Sequence, residues 1–114
     1  ELYNPKVVRA SQGAIFNIDI KVGVNLNEEL ENRYKDKWEI FLTDMETKSF
    51  LNDAKFKKNS KYVFVFGNEA NGISPKILAS KVYQRIKINF FSSCESLNIA
   101  ISAGIILNEF RKQV

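Results

Sequence analysis

Short apolar runs alternate with amphipathic segments along the 114 residues of the chain. The run at 62–66 is apolar throughout, which is typical of a strand buried on both faces of a sheet. Residues 38–43 and 82–89 indicate two further strands, and the alternation of charged and apolar residues at 18–22 predicts a short, half-exposed one. The pattern therefore predicts several short strands with connecting segments between them.

The connecting segments carry helix signals. Asn-Pro at 4–5 and Ser-Pro at 74–75 each combine a capping residue with proline at the first helical position. Residues 28–37 place apolar side chains four apart, and 96–112 is apolar around most of its circumference. A helix of the second kind is covered on both sides; the sheet would cover one side, and a second subunit could cover the other. Alternating strands and helices predict an α/β fold with a mainly parallel sheet and helices on both faces.

Composition restricts the chemistry of this single domain. Histidine is absent and cysteine occurs once, as Cys94. These counts exclude Ser-His-Asp and Cys-His catalysis, histidine-based metal sites and disulfide scaffolds. A lone cysteine fits a reducing cytoplasm, and no apolar run approaches the roughly 20 residues that span a bilayer. We therefore expect a cytoplasmic domain without a metal or a membrane partner.

The loop after the strand at 62–66 is the candidate site. Ligands of open α/β sheets bind at the carboxyl ends of strands, and here Gly67 opens a polar segment that contains Glu69. A second polar cluster, 92–98, leads into the last helix, where free backbone N–H groups can hold a polar ligand or simply receive a helix cap. Neither G-x-G-x-x-G nor a Walker lysine motif occurs, so the commonest phosphate-binding loops are absent.

A dense group of basic residues precedes the same strand. It consists of Lys55, Lys57, Lys58 and Lys61, in a chain whose formal net charge is +4. Such a group is either a solvated surface or a contact for an RNA backbone.

Three segments carry a resemblance to a known family. They are NPKVVRASQGA at 4–14, FGNEANGIS at 66–74 and ESLNIAISAGI at 95–105. Together, in this order, they resemble the SpoU (TrmH-like) class of RNA ribose methyltransferases in the SPOUT superfamily. The resemblance extends over nearly the whole chain.

This resemblance implies a deep trefoil knot in the C-terminal part and a bound S-adenosylmethionine. It also implies a homodimer packed through the last helix and methyl transfer to a ribose 2′-hydroxyl of rRNA or tRNA. By motif, the positions that contact the cofactor are Gly67, Ile88 and Leu97. The loop after Thr43 is a fourth candidate.

The family motifs also imply polar residues that orient the substrate and support the site. They are Glu69, Asn98 and Ser96. Glu69 can alternatively cap the helix that starts at Pro75 or pair with a lysine. Since histidine is absent, some other group must take the proton of the 2′-hydroxyl.

One departure from the family pattern affects the function. The family's first motif, an asparagine followed by the arginine thought to activate the ribose hydroxyl, has no match in this chain; Arg9 belongs to a later segment. We expect residues 1–114 to be an N-terminally truncated methyltransferase domain that lacks the first strands. The alternatives are a non-catalytic dimeric module that binds RNA or cofactor, and an unrelated α/β nucleotide-binding enzyme, which would need a phosphate-binding loop.

Overall fold

The computed structural model describes residues 3–10, 12–13, 17–68, 70–89 and 98–114. Its helices and strands are, in chain order, α1 (Pro5–Ala10), α2 (Leu26–Lys35), β1 (Glu39–Thr43), a 3-10 helix (Leu51–Asp53), β2 (Tyr62–Val65), α3 (Pro75–Leu78), β3 (Gln84–Ile86) and α4 (Ile99–Gln113). The strands form one parallel sheet in the order β2-β1-β3. The predicted α/β fold with a parallel sheet is confirmed.

The central strand of this sheet is β1, whose residues Ile40, Phe41 and Leu42 are all buried. In β2 only Val65 is buried, and residues 62–64 are half-buried. The prediction that 62–66 is buried on both faces is therefore wrong for most of this strand. The reason is its place in the described sheet, where β2 pairs with β1 and lies at the edge.

Helices cover both faces of the sheet. Because side chains of a strand alternate, Ile40 and Leu42 point to one face and Phe41 to the other. One core joins the first face to α2 and α3; it contains Leu30, Ile40, Leu42, Val65, Ile73 and Ile77. The other core joins the second face to α4; it contains Phe41, Leu51, Phe56, Ile86 and Ile106. None of the described helices has the length and apolar character that a membrane crossing requires.

The C-terminal end of α4 is held against the sheet by aromatic packing. The ring of Phe110 lies 5.4 to 5.7 Å from those of Phe56, Tyr62 and Phe64, all in edge-on arrangements. Gln113 adds two polar contacts to the preceding loop, accepting from the backbone N–H of Phe56 (2.8 Å) and donating to the carbonyl of Ala54 (3.1 Å). These contacts fix α4 against the sheet and thereby position its opposite end.

The strand predicted at 18–22 is wrong. These residues have irregular backbone, and Ile18 and Val22 are 66% and 77% exposed. An alternating pattern gives a strand only when a neighbouring strand accepts its hydrogen bonds and one face is buried. The described part of the chain supplies no such neighbour to 18–22.

Candidate functional site

A cavity of about 530 Å³ lies at the carboxyl edge of the sheet. Its walls are the ends of the three strands, the loop after β2 and the first turns of α4. The lining residues are Thr43, Asp44, Met45, Phe66, Gly67, Asn68, Gly72, Ile73, Ile86, Lys87, Ile88, Asn98, Ile99, Ser102 and Ile106. This is the edge at which open α/β sheets bind ligands, and the loop after β2 forms part of the cavity wall there.

The loop after β2 folds back onto the strand end. The side-chain oxygen of Asn68 accepts from the backbone N–H groups of Ala70 (2.9 Å) and Asn71 (2.7 Å), and its carbonyl accepts from Gly72 (2.9 Å). A Cβ atom at Gly67 would lie 2.4 Å from the carbonyl carbon of Gly72 and 2.5 Å from the nitrogen of Ile73. Gly67 is therefore required by a close approach of backbone to backbone.

Thr43 and Asp44 form the end of β1. The Thr43 hydroxyl donates to the carbonyl of Val65 (3.0 Å) and so joins the ends of β1 and β2. The Asp44 carboxylate accepts from the backbone N–H of Glu46 (2.9 Å), which fixes the carboxylate in the turn beside the cavity. The site therefore carries a positioned negative charge, with the ammonium of Lys87 on another part of its wall.

Arg85 connects this wall to α3. Its Nε lies 3.8 Å from Oδ2 of Asp44, and its Nη2 donates to the carbonyls of Leu78 and Ser80 at the end of α3. A cation at a helix C-terminus is favourable because of the helix dipole. Nη1 is buried and has no hydrogen-bond partner among the described residues. Arg85 thus holds Asp44 and the C-terminal end of α3 in a fixed relation.

One stripe of α4 closes the cavity. Ile99, Ser102 and Ile106 are spaced three and four apart and so share a face. Asn98 is the N-cap of this helix, and its side-chain oxygen accepts from the backbone N–H of Ala100 (2.8 Å). The cap interpretation of the polar cluster is therefore confirmed for Asn98. Its oxygen is used in the cap, which leaves the side-chain NH₂ for a ligand.

The cavity brings together four of the residues predicted from sequence, namely Thr43, Gly67, Ile88 and Asn98. Glu69, Ser96 and Leu97 lie outside the described residues.

The sequence reasoning named the loop after Thr43, which begins with Asp44, without singling out that residue, and it missed Lys87 and Ser102. Asp44 directly follows β1, just as Phe66 and Gly67 follow β2, so the strand-end rule that selected Gly67 could have selected it as well. Ser102 had no such signal, because its place depends on how α4 packs.

Basic residues are distributed unevenly relative to the cavity. None of the described arginines lines it, and Lys87 is the lysine on its wall. The lysine group of the sequence lies elsewhere, since Lys61 immediately precedes β2 and its carbonyl accepts from the backbone N–H of Glu39, the first residue of β1. Lys61 is therefore at the amino edge of the sheet, opposite to the cavity, whereas Lys55 acts electrostatically on Glu109 of α4.

Comparison with known proteins identifies the family of this chain. The SpoU rRNA Methylase family matches residues 1–108. The chain belongs to the SpoU rRNA methylase family. The resemblance inferred from the three sequence segments is thereby confirmed, and the parallel sheet agrees with the solved structures of related proteins.

Three relatives illustrate the similarity of this SpoU chain to known proteins. An uncharacterized tRNA/rRNA methyltransferase of Synechocystis sp. is 28% identical over 110 residues, which are 96% of this chain and 39% of that protein. A chain from a structural study of the 2-OH methylation of C/U34 on tRNA is 25% identical with a TM-score of 0.82, over 99% of this chain and 71% of that one. The SpoU methyltransferase AviRb from Streptomyces viridochromogenes, solved in complex with AdoMet, is 26% identical with a TM-score of 0.79, over 99% of this chain and 46% of that one. The chain thus spans about two fifths of the curated relative that it matches.

Proposed function

We propose that this SpoU domain binds S-adenosylmethionine in the cavity at the carboxyl edge and transfers its methyl group to a ribose 2′-hydroxyl of rRNA or tRNA. The observation that carries the proposal is the convergence on one cavity of Gly67, Ile88 and Asn98, which lie in separate parts of the chain and which the family resemblance had selected. The relatives support it, since AviRb was solved with AdoMet and another similar chain comes from work on 2-OH methylation of tRNA.

The lining of the cavity suits this cofactor. Ile88 and Ile99 supply apolar surface for an adenine ring, and the strand ends supply backbone hydrogen-bonding groups. The carboxylate of Asp44 is an acceptor for positive charge on the cofactor, and the ammonium of Lys87 is a partner for its carboxylate. Leu97 is proposed as a further cofactor contact on the strength of the family motif.

The transfer itself is an in-line displacement. The 2′-oxygen forms a bond to the methyl carbon as the bond from that carbon to sulfur breaks, which leaves S-adenosylhomocysteine, and the hydroxyl proton passes to a base. Holding the reactants in line can supply roughly 7–11 kcal/mol of the barrier. We assign Glu69, Asn98 and Ser96 to orienting the ribose and supporting the site.

The exposed side of α4 is suited to a homodimer interface. The side of α4 that faces away from the sheet exposes Ile101 (55%), Ile105 (39%) and Leu107 (50%). A second subunit packed on α4 would bury this apolar surface. We further propose that residues 1–114 act as one methyltransferase domain in the cytoplasm, with the trefoil knot of the family in its C-terminal part; the similarity to solved SpoU structures supports the knot.

The cofactor site is tested by isothermal titration with S-adenosylmethionine. We expect saturable binding by the chain and an affinity about tenfold lower or worse for Ser102→Phe, a loss of at least about 1.4 kcal/mol, because the added ring occupies the cavity. Ala100→Phe on the same helix is the control, since Ala100 is exposed and does not line the cavity. Equal affinities for both variants would contradict the assignment of the cavity.

The reaction is tested by transfer of a labelled methyl group to RNA. Because alkaline cleavage of RNA requires a free 2′-hydroxyl, a ribose-methylated product gives labelled dinucleotides that resist alkali. Label found in alkali-sensitive mononucleotides would instead place the methyl group on a base. Saturable cofactor binding without any transfer would favour the non-catalytic module.

A further inference from the structure

We infer that the amino edge of the sheet, opposite to the cavity, is a second RNA-contacting surface that binds phosphate groups. This inference rests on the proposed function, since it assumes an RNA substrate. The surface, called the basic edge below, consists of Arg33, Lys35, Lys37, Trp38, Lys57, Lys58 and Lys61. Its members come from the end of α2 and from the loop before β2.

Trp38 joins these two segments. The guanidinium carbon of Arg33 lies 5.0 Å from the centre of the indole ring, and the ammonium of Lys61 lies 5.4 Å from it. Both distances are within the range of cation–π attraction. The ring therefore holds two cations from different segments in fixed positions, which lowers the entropic cost of presenting them to an anion.

Lys37 occupies a position that normally belongs to glycine. The backbone N–H of Trp38 donates to the carbonyl of Arg33 (3.0 Å), and that of Lys37 donates to the carbonyl of Tyr34 (3.1 Å). These are the two hydrogen bonds of a Schellman motif. Lys37 has a φ of +70°, in the left-handed region that favours glycine. The side chain of Lys37 is exposed and adds a cation to the basic edge.

Positive charge prevails at the basic edge. Among the acids near this surface, Glu29 is engaged by Arg33 at 3.0 Å, Glu31 accepts from Asn27 at 3.4 Å and Glu39 accepts from Gln84 at 3.4 Å; Asp36 is a fourth. The five lysines are exposed, and no ion pair involving them occurs among the described residues. Exposed lysines without ion-pair partners bind the phosphate backbone without reading sequence, and Lys61 is in addition held in place by the Trp38 ring.

The basic edge is separated from the cavity by the length of β1, about 13 Å for five residues at roughly 3.3 Å per step. RNA bound there is therefore a different segment from the nucleotide in the cavity. Such a contact increases the affinity for the RNA as a whole and leaves the affinity for the cofactor unchanged.

The test is fluorescence anisotropy with fluorescein-labelled, unfractionated tRNA over a range of salt concentrations. The double variant Lys37→Gln with Lys61→Gln is compared with Lys6→Gln and Lys21→Gln, which removes the same charge from exposed lysines outside the basic edge. We expect the slope of log affinity against log salt to fall by about 1.4 in the first variant, about 0.7 for each lost phosphate contact, and by much less in the second. Equal slopes for both variants, or no binding of tRNA by the unaltered chain, would overturn the inference.

A second variant separates RNA binding from folding. Lys37→Gly relieves the left-handed conformation, so we expect a higher melting temperature together with weaker tRNA binding. A higher melting temperature with unchanged tRNA affinity would show that Lys37 does not contact RNA. Titration of each variant with S-adenosylmethionine keeps the two proposals distinct. If the unaltered chain does not bind the cofactor, the proposed cofactor site fails, but the salt dependence of tRNA binding still tests the basic edge.

Discussion

Replacement of Gly67 by alanine tests the construction of the site most directly. The added Cβ would lie 2.4 and 2.6 Å from the carbonyl carbon and Cα of Gly72, and 2.5 Å from the nitrogen of Ile73. Ordinary contacts between such atoms are about 3.5–4.0 Å, so one of the two segments must move by about 1 Å. All three neighbours are backbone atoms, and no side-chain rotation can relieve the contact.

The expected cost is that of overpacking a rigid region, about 1–3 kcal/mol of the free energy of unfolding. Gly72 and Ile73 also line the cavity. Their displacement changes the shape of the wall, and we expect affinity for S-adenosylmethionine to fall along with stability.

The assay combines urea unfolding with calorimetric titration of the cofactor. Gly104→Ala is the matched control, since this exposed glycine lies inside α4 and an added Cβ meets no atom within 4 Å. Alanine is the better helix former there, so the control should gain roughly 0.5–1 kcal/mol. A Gly67→Ala protein as stable as the unaltered chain would refute the close approach of the loop to the strand end.

Two further predictions concern α4. Asn98→Ala removes the N-cap and should cost about 1 kcal/mol of the free energy of unfolding. Asn98→Ser keeps a capping oxygen and removes the side-chain NH₂ without adding a charge, so its stability should be preserved. Loss of methyl transfer in Asn98→Ser would show that the NH₂ is needed for the reaction, and full activity would limit Asn98 to its cap. The hydrogen bond donated by Gln113 (2.8 Å), aided by Lys112, lowers the pKa of Glu109. This contribution to stability is present above the unfolded pKa of a glutamate and is lost as the pH falls through the lower folded value. NMR titration of the Glu109 carboxyl should therefore show a lowered pKa that rises in Gln113→Ala, and an unchanged titration in that variant would contradict the role of the hydrogen bond.

Local signals in the sequence predicted much of the secondary structure. Asn4 and Ser74 cap helices as expected, because a cap depends only on residues within a few positions along the chain. The ends of the helices and strands were predicted less accurately than their positions. The strand expected at 82–89 is limited to Gln84–Ile86, since hydrogen bonding to β1 defines where it ends.

Sequence alone also indicated the family, which the match to the family over residues 1–108 shows. The motifs around Gly67 and Asn98 contain glycine, amide and small residues in a fixed order, and this order is a property of the chain itself. It identified the loop after β2 as a site before any contact was known. It could not explain why Gly67 is glycine, since the reason is a backbone segment five residues later that would lie only 2.4 Å from an added Cβ atom.

The tertiary structure decided which distant residues face each other. Only the strand order β2-β1-β3 makes β1 the central strand, places Asp44 and Lys87 on the wall with Gly67, and puts Lys61 at the opposite edge. Strand order depends on contacts between residues far apart in sequence, and periodicity within a strand carries no information about its neighbours. The sequence therefore determined the elements, their caps and the family motifs, while packing decided which of their residues share the cavity and which form a separate basic edge.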